Sequence, residues 1–304
     1  MNGAERYVIV NGAAGGGRCA GRWEPALDAL RSADFELEIA HTKRAGHATE
    51  LARAAFAKGH RQFVSVGGDG TAFEVINGLL PEAEGQGVEL GLLPLGTGNS
   101  FLRDFAIRDP HTALDALRAW RAEPVDVVRA VHRTGTFHYL NLIGLGFTAR
   151  AGDLTNRRFK HLGAAGYVAA VLLSVLRLEK PVDPIAIDGS KDSDARPAVF
   201  LAFSNSKYTG GAMKMAPRAD PTDGYLDVIR AGDIGRASLV KTFPKIFSGR
   251  HVEHPRVEQG RAKKVEFLEP REQPVMVDGE IMHLALESLE VRPGALSIVT
   301  GKRR

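Results

Sequence analysis

One cysteine in 304 residues is the first thing this chain lacks. Cys19 alone cannot close an internal disulfide, which sets aside the stapled folds of small secreted proteins. No stretch resembles a secretory leader, so the expected address is the cytoplasm. Long apolar runs are missing too. The longest, AAGYVAAVLLSVL at 164–176, falls short of the roughly 20 residues that a spanning helix needs. The sequence shows no internal repeat and no low-complexity linker, and its histidines have no metal-ligand spacing, so HVEHP at 251–255 reads as a surface loop. Nor is there an acidic excess: the formal net charge is +4, and RRFK at 157–160 and KRR at the end leave the surface mildly basic. That balance suits an anionic partner such as a nucleotide, an anionic lipid or a nucleic acid, without choosing between them.

What is present is a globular composition, 44% hydrophobic and 25% charged, in a chain long enough for two domains. The first 125 residues alternate strand and helix signals: RYVIVNG, AGRWEPALDAL, FELEIAHT, GHATELARAAFAKG, QFVSVGG, TAFEVINGLL, ELGLLPLG and PHTALDALRAW. Repeated βαβ units predict an α/β domain with a parallel sheet covered by helices. From about Val125 the pattern turns to short β-rich runs, among them PVDVVRAVH, FHYLNLIGLG, AVFLAFSN, YLDVIRA and VMVDGEI. This half predicts an antiparallel sandwich or barrel, with a helical insertion over 152–178 and a helix near 235–248. The expected boundaries are 1–125 for the nucleotide-binding domain and 126–292 for the β-rich one, with 293–304 returning to the first.

Three glycine-rich turns join strands to helices, NGAAGGGR (11–18), GGDGT (67–71) and PLGTGNS (94–100), and all should open on the carboxyl edge of the sheet, where ligands gather. Glycines let backbone N–H groups approach phosphate oxygens, and helix N-termini add positive potential, so the expected guest is a polyphosphate. Asp69 among those glycines would repel phosphate, which implies a Mg²⁺ ion or a water between them, or a base.

VGGDGTAFEVINGL resembles the GGDGT signature shared by diacylglycerol, sphingosine, ceramide and NAD kinases. PLGTGNSFLRDF, NSKYTGGAMKMAPRADPTDGYLDV and VMVDGE are similar, in order and spacing, to further segments of bacterial diacylglycerol kinase-like lipid kinases, over residues 8–299. Departures are Ser100 and Thr148, where many members carry Asp, and a first loop without the usual Pro that keeps Arg18 and Arg22. The resemblance implies an ATP-dependent, Mg²⁺-requiring kinase acting on a lipid hydroxyl at the membrane surface as a peripheral protein, with no nucleic-acid partner. The acceptor lipid stays open, and a homodimer is compatible with the sequence.

Under that resemblance Asp69 binds Mg²⁺ or acts as base, and Gly67, Gly68 and Gly70 supply close backbone approach. Thr71 offers a hydroxyl to phosphate or caps the following helix. Gly96, Thr97, Gly98 and Asn99 contact phosphate or ribose, or form a tight turn; Asn11 and Arg18 face the phosphate tail. Thr42, Gly46 and His47 border the adenine, His47 being first a helix-start residue. Glu74 contacts nucleotide or lies with Asn77 on a solvated helix face. Asp278 and Glu280 flank a glycine, which by itself is a hairpin signal; the family's D-G-E motif makes Asp278 the favoured base, facing the nucleotide across a cleft, and Glu280 a nucleotide contact. Asp220 and Asp223 are candidates for a structural metal or a plain Asp-rich turn. The stretch 164–176, with Arg157, Arg158 and Lys160, is either an interfacial helix or core. Rivals are an NAD kinase, disfavoured because no Asn-Glu pair occurs anywhere, a non-catalytic nucleotide-binding regulator and, more weakly, a Rossmann dehydrogenase built on GGGRCA at 15–20.

Overall fold

The structure is a computed structural model and describes residues 5–33, 35–96, 99–154, 173–191 and 196–301. Thr97, Gly98, Arg157, Arg158, Lys160 and residues 164–172 of the longest apolar stretch lie outside the described residues. The chain divides into two compact units, one of residues 1–127 with 292–304, the other of residues 128–291.

The first unit carries β1 (Arg6–Val10), α1 (Trp23–Arg31), β2 (Leu37–His41), α2 (His47–Ala57), β3 (Gln62–Gly67), α3 (Asp69–Leu79), β4 (Glu89–Pro94) and α4 (Pro110–Ala119). The strands are parallel in the order β2-β1-β3-β4. Right-handed crossovers dictate the layering: the step from β1 to β2 runs against the steps from β2 to β3 and β3 to β4, so α1 lies opposite α2 and α3. Accordingly α2 packs on α3, and α1 on α4. The strands read as near-continuous apolar runs because both faces are covered, and Val8, Ile9, Val10, Phe63, Val64, Val66, Leu90 and Leu93 are buried. Residues 292–299 add a further parallel partner to β4, with Ser297 opposite Glu89. Asp109 caps α4 through the N–H groups of His111 and Thr112, a capping box with Pro110 in the first turn.

β5 (Ala122–His132) and, at the other end, β18 (Leu286–Val299) contain the two unit boundaries. Between them run β6 (Gly135–Tyr139), β7 (Leu142–Gly146), α5 (Phe147–Leu154), β8 (Ile185–Ile187), β9 (Ser190–Lys191), β10 (Phe200–Ser204), β11 (Tyr208–Thr209), β12 (Met213–Lys214), β13 (Leu226–Ala231), α6 (Arg236–Thr242), β14 (Val257–Ala262), β15 (Lys264–Phe267), β16 (Gln273–Val277) and β17 (Glu280–Leu284). One sheet is antiparallel in the order β14-β13-β10-β7-β16-β17. A second layer joins β15 to β8 and to residues 288–290 of β18. The expected antiparallel sandwich is thus present, and Phe203 meets Phe267 edge-on inside it.

Two elements differ from expectation. FHYLNLIGLG reads as one strand but is two, because the N–H groups of Leu140, Asn141 and Leu142 turn aside to a carboxylate, described below. The helix near 235–248 is α6 followed by a 3-10 turn at Phe243–Ser248, where Pro244 lacks the N–H that an α-helix needs.

Candidate active site

Register places the turns. Val10 pairs with His41 and Val66, and Gly67 with Pro94, so Asn11, Thr42, Gly68 and Leu95 all follow strand ends on one edge. β1 and β3 send their chains to opposite faces, which opens a crevice between them. Asn11 and Thr71 meet there: Asn11 Nδ2 donates to Thr71 Oγ1 at 3.1 Å. Thr71 is buried, and Gly68, not Thr71, holds the cap position of α3. The helix begins two residues earlier than its apolar pattern suggests, so Asp69 is its first residue, where a negative charge suits the helix dipole.

The glycines answer first to the protein's own packing. A Cβ on Gly67 would lie 2.2 Å from Thr71 Oγ1, and one on Gly96 3.1 Å from Gly68 Cα. Two turns therefore press together backbone to backbone, with Gly96 N–H donating to Gly67 O at 2.8 Å. Asp69 keeps some solvent access, yet both its oxygens accept the Ser100 N–H, each at 3.2 Å. Burial raises the Asp69 carboxyl above its ordinary value, while the Ser100 N–H and hydroxyl and the Arg103 charge pull it back. Ser100 thus donates to Asp69 where many family members would place a second carboxylate. Asn99 Nδ2 is buried without a partner among the described residues. A tight glycine floor, an orphaned amide donor and a carboxylate at a helix start fit a polyphosphate with its divalent cation.

Glu74 serves a neighbouring helix. Its two oxygens accept the N–H groups of Gly46 (2.9 Å) and Ala48 (3.1 Å), so it caps α2, whose own cap residue Gly46 has no side chain to do so. Asn77 bonds back to Phe73 O on its own helix. His47 opens α2 and accepts the Lys43 N–H. Thr42 sits at the same edge as Asn11, its N–H donating to Val10 O. Arg18 is exposed in the first loop, and Gly70 lies in the first turn of α3.

In the second unit Asp278 is 7% exposed. Its Oδ1 accepts the N–H groups of Asn141 and Leu142, each at 2.9 Å, and Oδ2 that of Leu140 at 3.0 Å. The hairpin reading and the buried carboxylate coexist: φ is 46° at Asp278 and 95° at Gly279, both left-handed, and Val277 pairs with Glu280. Asp188-Gly189 makes the same turn between β8 and β9. Around Asp278, Asn205 Nδ2 donates to Leu140 O and Ser206 Oγ to Asn141 Oδ1. Asn141, Asn205 and Ser206 were not singled out from the sequence; the signal for Asn205 was its place at the head of NSKYTGG. Tyr139 is pushed well above its ordinary value by burial, with the Asp278 charge adding, and stays a neutral donor to Phe203 O. Glu280 is exposed at the start of β17.

Asp220 and Asp223 lie in the loop that precedes β13. Asp220 accepts the N–H and hydroxyl of Thr222, Asp223 accepts the Tyr225 N–H, and the second oxygen of Asp223 pairs with Arg261. Short side chains that bond their own backbone two residues on make turns. Among the described residues the one trio of acidic or histidine side chains with ligand spacing is Glu5, Glu38 and His60. Its carboxylates are exposed and it lies apart from the edge that bears Asp69.

Asp227, buried at the start of β13, is pushed up to about 6 by burial, opposed by Arg261 and reinforced by Asp223, with Arg218 and Lys207 opposing further. That value lies above the ~3.9 of an unfolded aspartate, so the folded state holds the proton more tightly. The resulting stability is complete below about pH 4 and is lost as pH rises through about 6. Asp227→Asn should therefore melt higher than the parent at pH 7.5, on the order of 3 °C, with the gain shrinking toward zero at pH 5. Thermal unfolding of both proteins at the two pH values checks this; an equal gain at both would remove Asp227 ionisation as the cause.

Comparison with known proteins places the two halves of the chain in one family. Residues 5–130 match the model of the diacylglycerol kinase catalytic domain, and residues 141–300 that of the YegS C-terminal NAD kinase beta sandwich-like domain. A diacylglycerol kinase of Mycobacterium tuberculosis is 31% identical over 83% of this chain and 81% of its own. One from Staphylococcus aureus is 28% identical over 90% and 85%. The crystal structure of a diacylglycerol kinase from Bacillus anthracis covers 98% of this chain and 97% of its own, with TM-score 0.71 and 26% identity.

Proposed function

Because the chain belongs to the diacylglycerol kinase family, we propose that it is a lipid kinase that moves the γ-phosphoryl group of ATP onto a lipid hydroxyl, with Mg²⁺ accompanying the nucleotide. Diacylglycerol or a related lipid is the acceptor, in keeping with the relatives' names. The observation that carries this reading is the edge of β1, β3 and β4, where Asp69 at the start of α3 meets the glycine floor and the Ser100 N–H. Phosphoryl transfer asks little covalent chemistry of the protein and much positioning and charge neutralisation.

The residues divide as follows. Backbone N–H groups from Gly68 to Gly70, with Asn99 and the Asn11–Thr71 pair, hold phosphate oxygens; Thr71 keeps a hydroxyl proton to donate after accepting from Asn11. Arg18, exposed in the first loop, lends charge to the phosphate tail. Asp69 holds the cation, which when bound draws charge from the transferring oxygens. Asp278 takes the proton of the acceptor hydroxyl; three backbone donors fix its carboxylate so that no rotamer is lost on binding. Glu280, exposed beyond the turn, is a polar contact for the ligand. No helix among the described residues is long and apolar enough to cross a membrane, so a lipid acceptor would be met by peripheral attachment.

The test is incubation of the protein with γ-labelled ATP, Mg²⁺ and either total lipid extract or NAD. Label in the organic phase, on a lipid with a free hydroxyl, is the expected outcome. Label on NAD alone would make the chain an NAD kinase; no label on either, with ATP still bound, would make it a non-catalytic binder.

A further inference from the structure

The helical segment 236–248 has two apolar stripes where a surface helix needs one. The inner stripe, Leu239, Thr242, Phe243 and Ile246, is buried or partly buried at the 3–4 spacing that covers a core. Ile246 packs with Met215 and Ile229, and Leu239 against Val199 and Ile234. The outer stripe is Val240, Pro244 and Phe247, spaced four and three apart and facing solvent: Val240 is 53% and Phe247 58% exposed. Leu176, 66% exposed, joins them, because Arg236 Nε donates to the carbonyls of Val175 and Leu176 and ties that turn to the start of α6. Burial of these side chains would be favourable, and nothing among the described residues provides it.

Charge surrounds the stripe. No acidic residue occurs from Ile234 to Val252. Lys241 and Lys245, four apart and exposed beside Val240 and Phe247, take part in none of the ion pairs among the described residues. Arg236 adds a third cation. Unpaired cations flanking exposed aliphatic and aromatic groups on a short helix match an anionic lipid surface, with the apolar stripe entering the headgroup boundary and the cations reaching lipid phosphates.

We propose that residues 236–248, with Leu176, form a docking face for an anionic bilayer. The choice of a bilayer as occupant rests on the lipid-kinase reading. The expectation that assigned docking to 164–176 with Arg157, Arg158 and Lys160 falls largely on residues outside the described set, and the present face does not depend on it.

The test compares the parent, K241E/K245E and V240S/F247S in co-sedimentation with vesicles of phosphatidylcholine alone or with 30 mol per cent phosphatidylglycerol, about a typical anionic content. The parent should prefer the anionic vesicles, and each double variant should bind them at least about tenfold more weakly, with an unchanged melting temperature. Phosphorylation of a short-chain diacylglycerol dispersed in solution should stay at the parent rate in both variants, while that of long-chain diacylglycerol in anionic vesicles falls. Parent-like vesicle binding by both variants overturns the docking face. So does a parent that light scattering shows to be a dimer and that becomes a monomer on V240S/F247S, since the stripe then covers a second copy. Failure of the kinase reading is distinct: the parent would leave the soluble acceptor unlabelled whatever its vesicle binding.

Discussion

Asp69→Asn is expected to reduce phosphoryl transfer at least about 10²-fold, the cost typical of removing one preorganised charged partner from a transferring group. The exchange keeps size and shape, and the Asn carbonyl can still accept the Ser100 N–H. What it loses is the charge that a divalent cation requires. Stability should move the other way. Burial holds the Asp69 carboxyl above its ordinary value, so the folded state favours the protonated form, and that stability is lost as pH rises through the raised value. At neutral pH the ionised side chain is a cost, which Asn removes. The variant should therefore melt no lower than the parent at pH 7 while being nearly inactive, and a rate within about threefold of the parent would remove Asp69 from the transfer chemistry.

Asp278→Asn should depress the maximal rate by about 10²- to 10⁴-fold, the range for loss of a general base, but with the opposite effect on stability. The Asp278 carboxylate accepts three backbone N–H groups from Leu140 to Leu142. An Asn can turn its oxygen to two of them and must present its NH₂ to the third, leaving a buried donor unpaired at a cost of about 1–3 kcal/mol. Lower melting with an intact rate would make Asp278 a structural anchor of the β16–β17 hairpin and nothing more. The rate is to be measured well below the variant's melting range, and Asp188, which occupies the same turn in the β8–β9 hairpin and accepts two backbone N–H groups on one oxygen, supplies the control: Asp188→Ala, which removes that acceptor, should lower stability and leave the rate alone.

The contrast between those turns explains how far the sequence could be read. The alternating pattern before Val125 was sufficient for the parallel sheet, since each strand buried on both faces leaves an unbroken apolar run and each glycine turn marks its end. The two glycine turns are held to glycine by contact, Gly67 against the Thr71 side chain and Gly96 against the Gly68 backbone. Asp-Gly, by contrast, occurs at 188 and 278 with the same left-handed backbone, and only the distant segment that each carboxylate meets tells them apart. That segment lies 136–138 residues away for Asp278, beyond any local signal, and it is also what divides FHYLNLIGLG into β6 and β7. Glu74 was illegible for the same reason: a solvated or ligand-facing glutamate and one that caps a neighbouring helix look alike until α2 is placed beside α3.

The measurement that tests the division of labour most directly is calorimetric titration of the parent, Asp69→Asn and Asp278→Asn with ATP, in the presence and absence of Mg²⁺. If Asp69 serves the cation and Asp278 the acceptor hydroxyl, Asp278→Asn should bind Mg²⁺·ATP as the parent does, and Asp69→Asn should lose the part of the affinity that Mg²⁺ adds. A parent-like isotherm for Asp69→Asn together with a weakened one for Asp278→Asn would contradict the assignment and exchange the two roles.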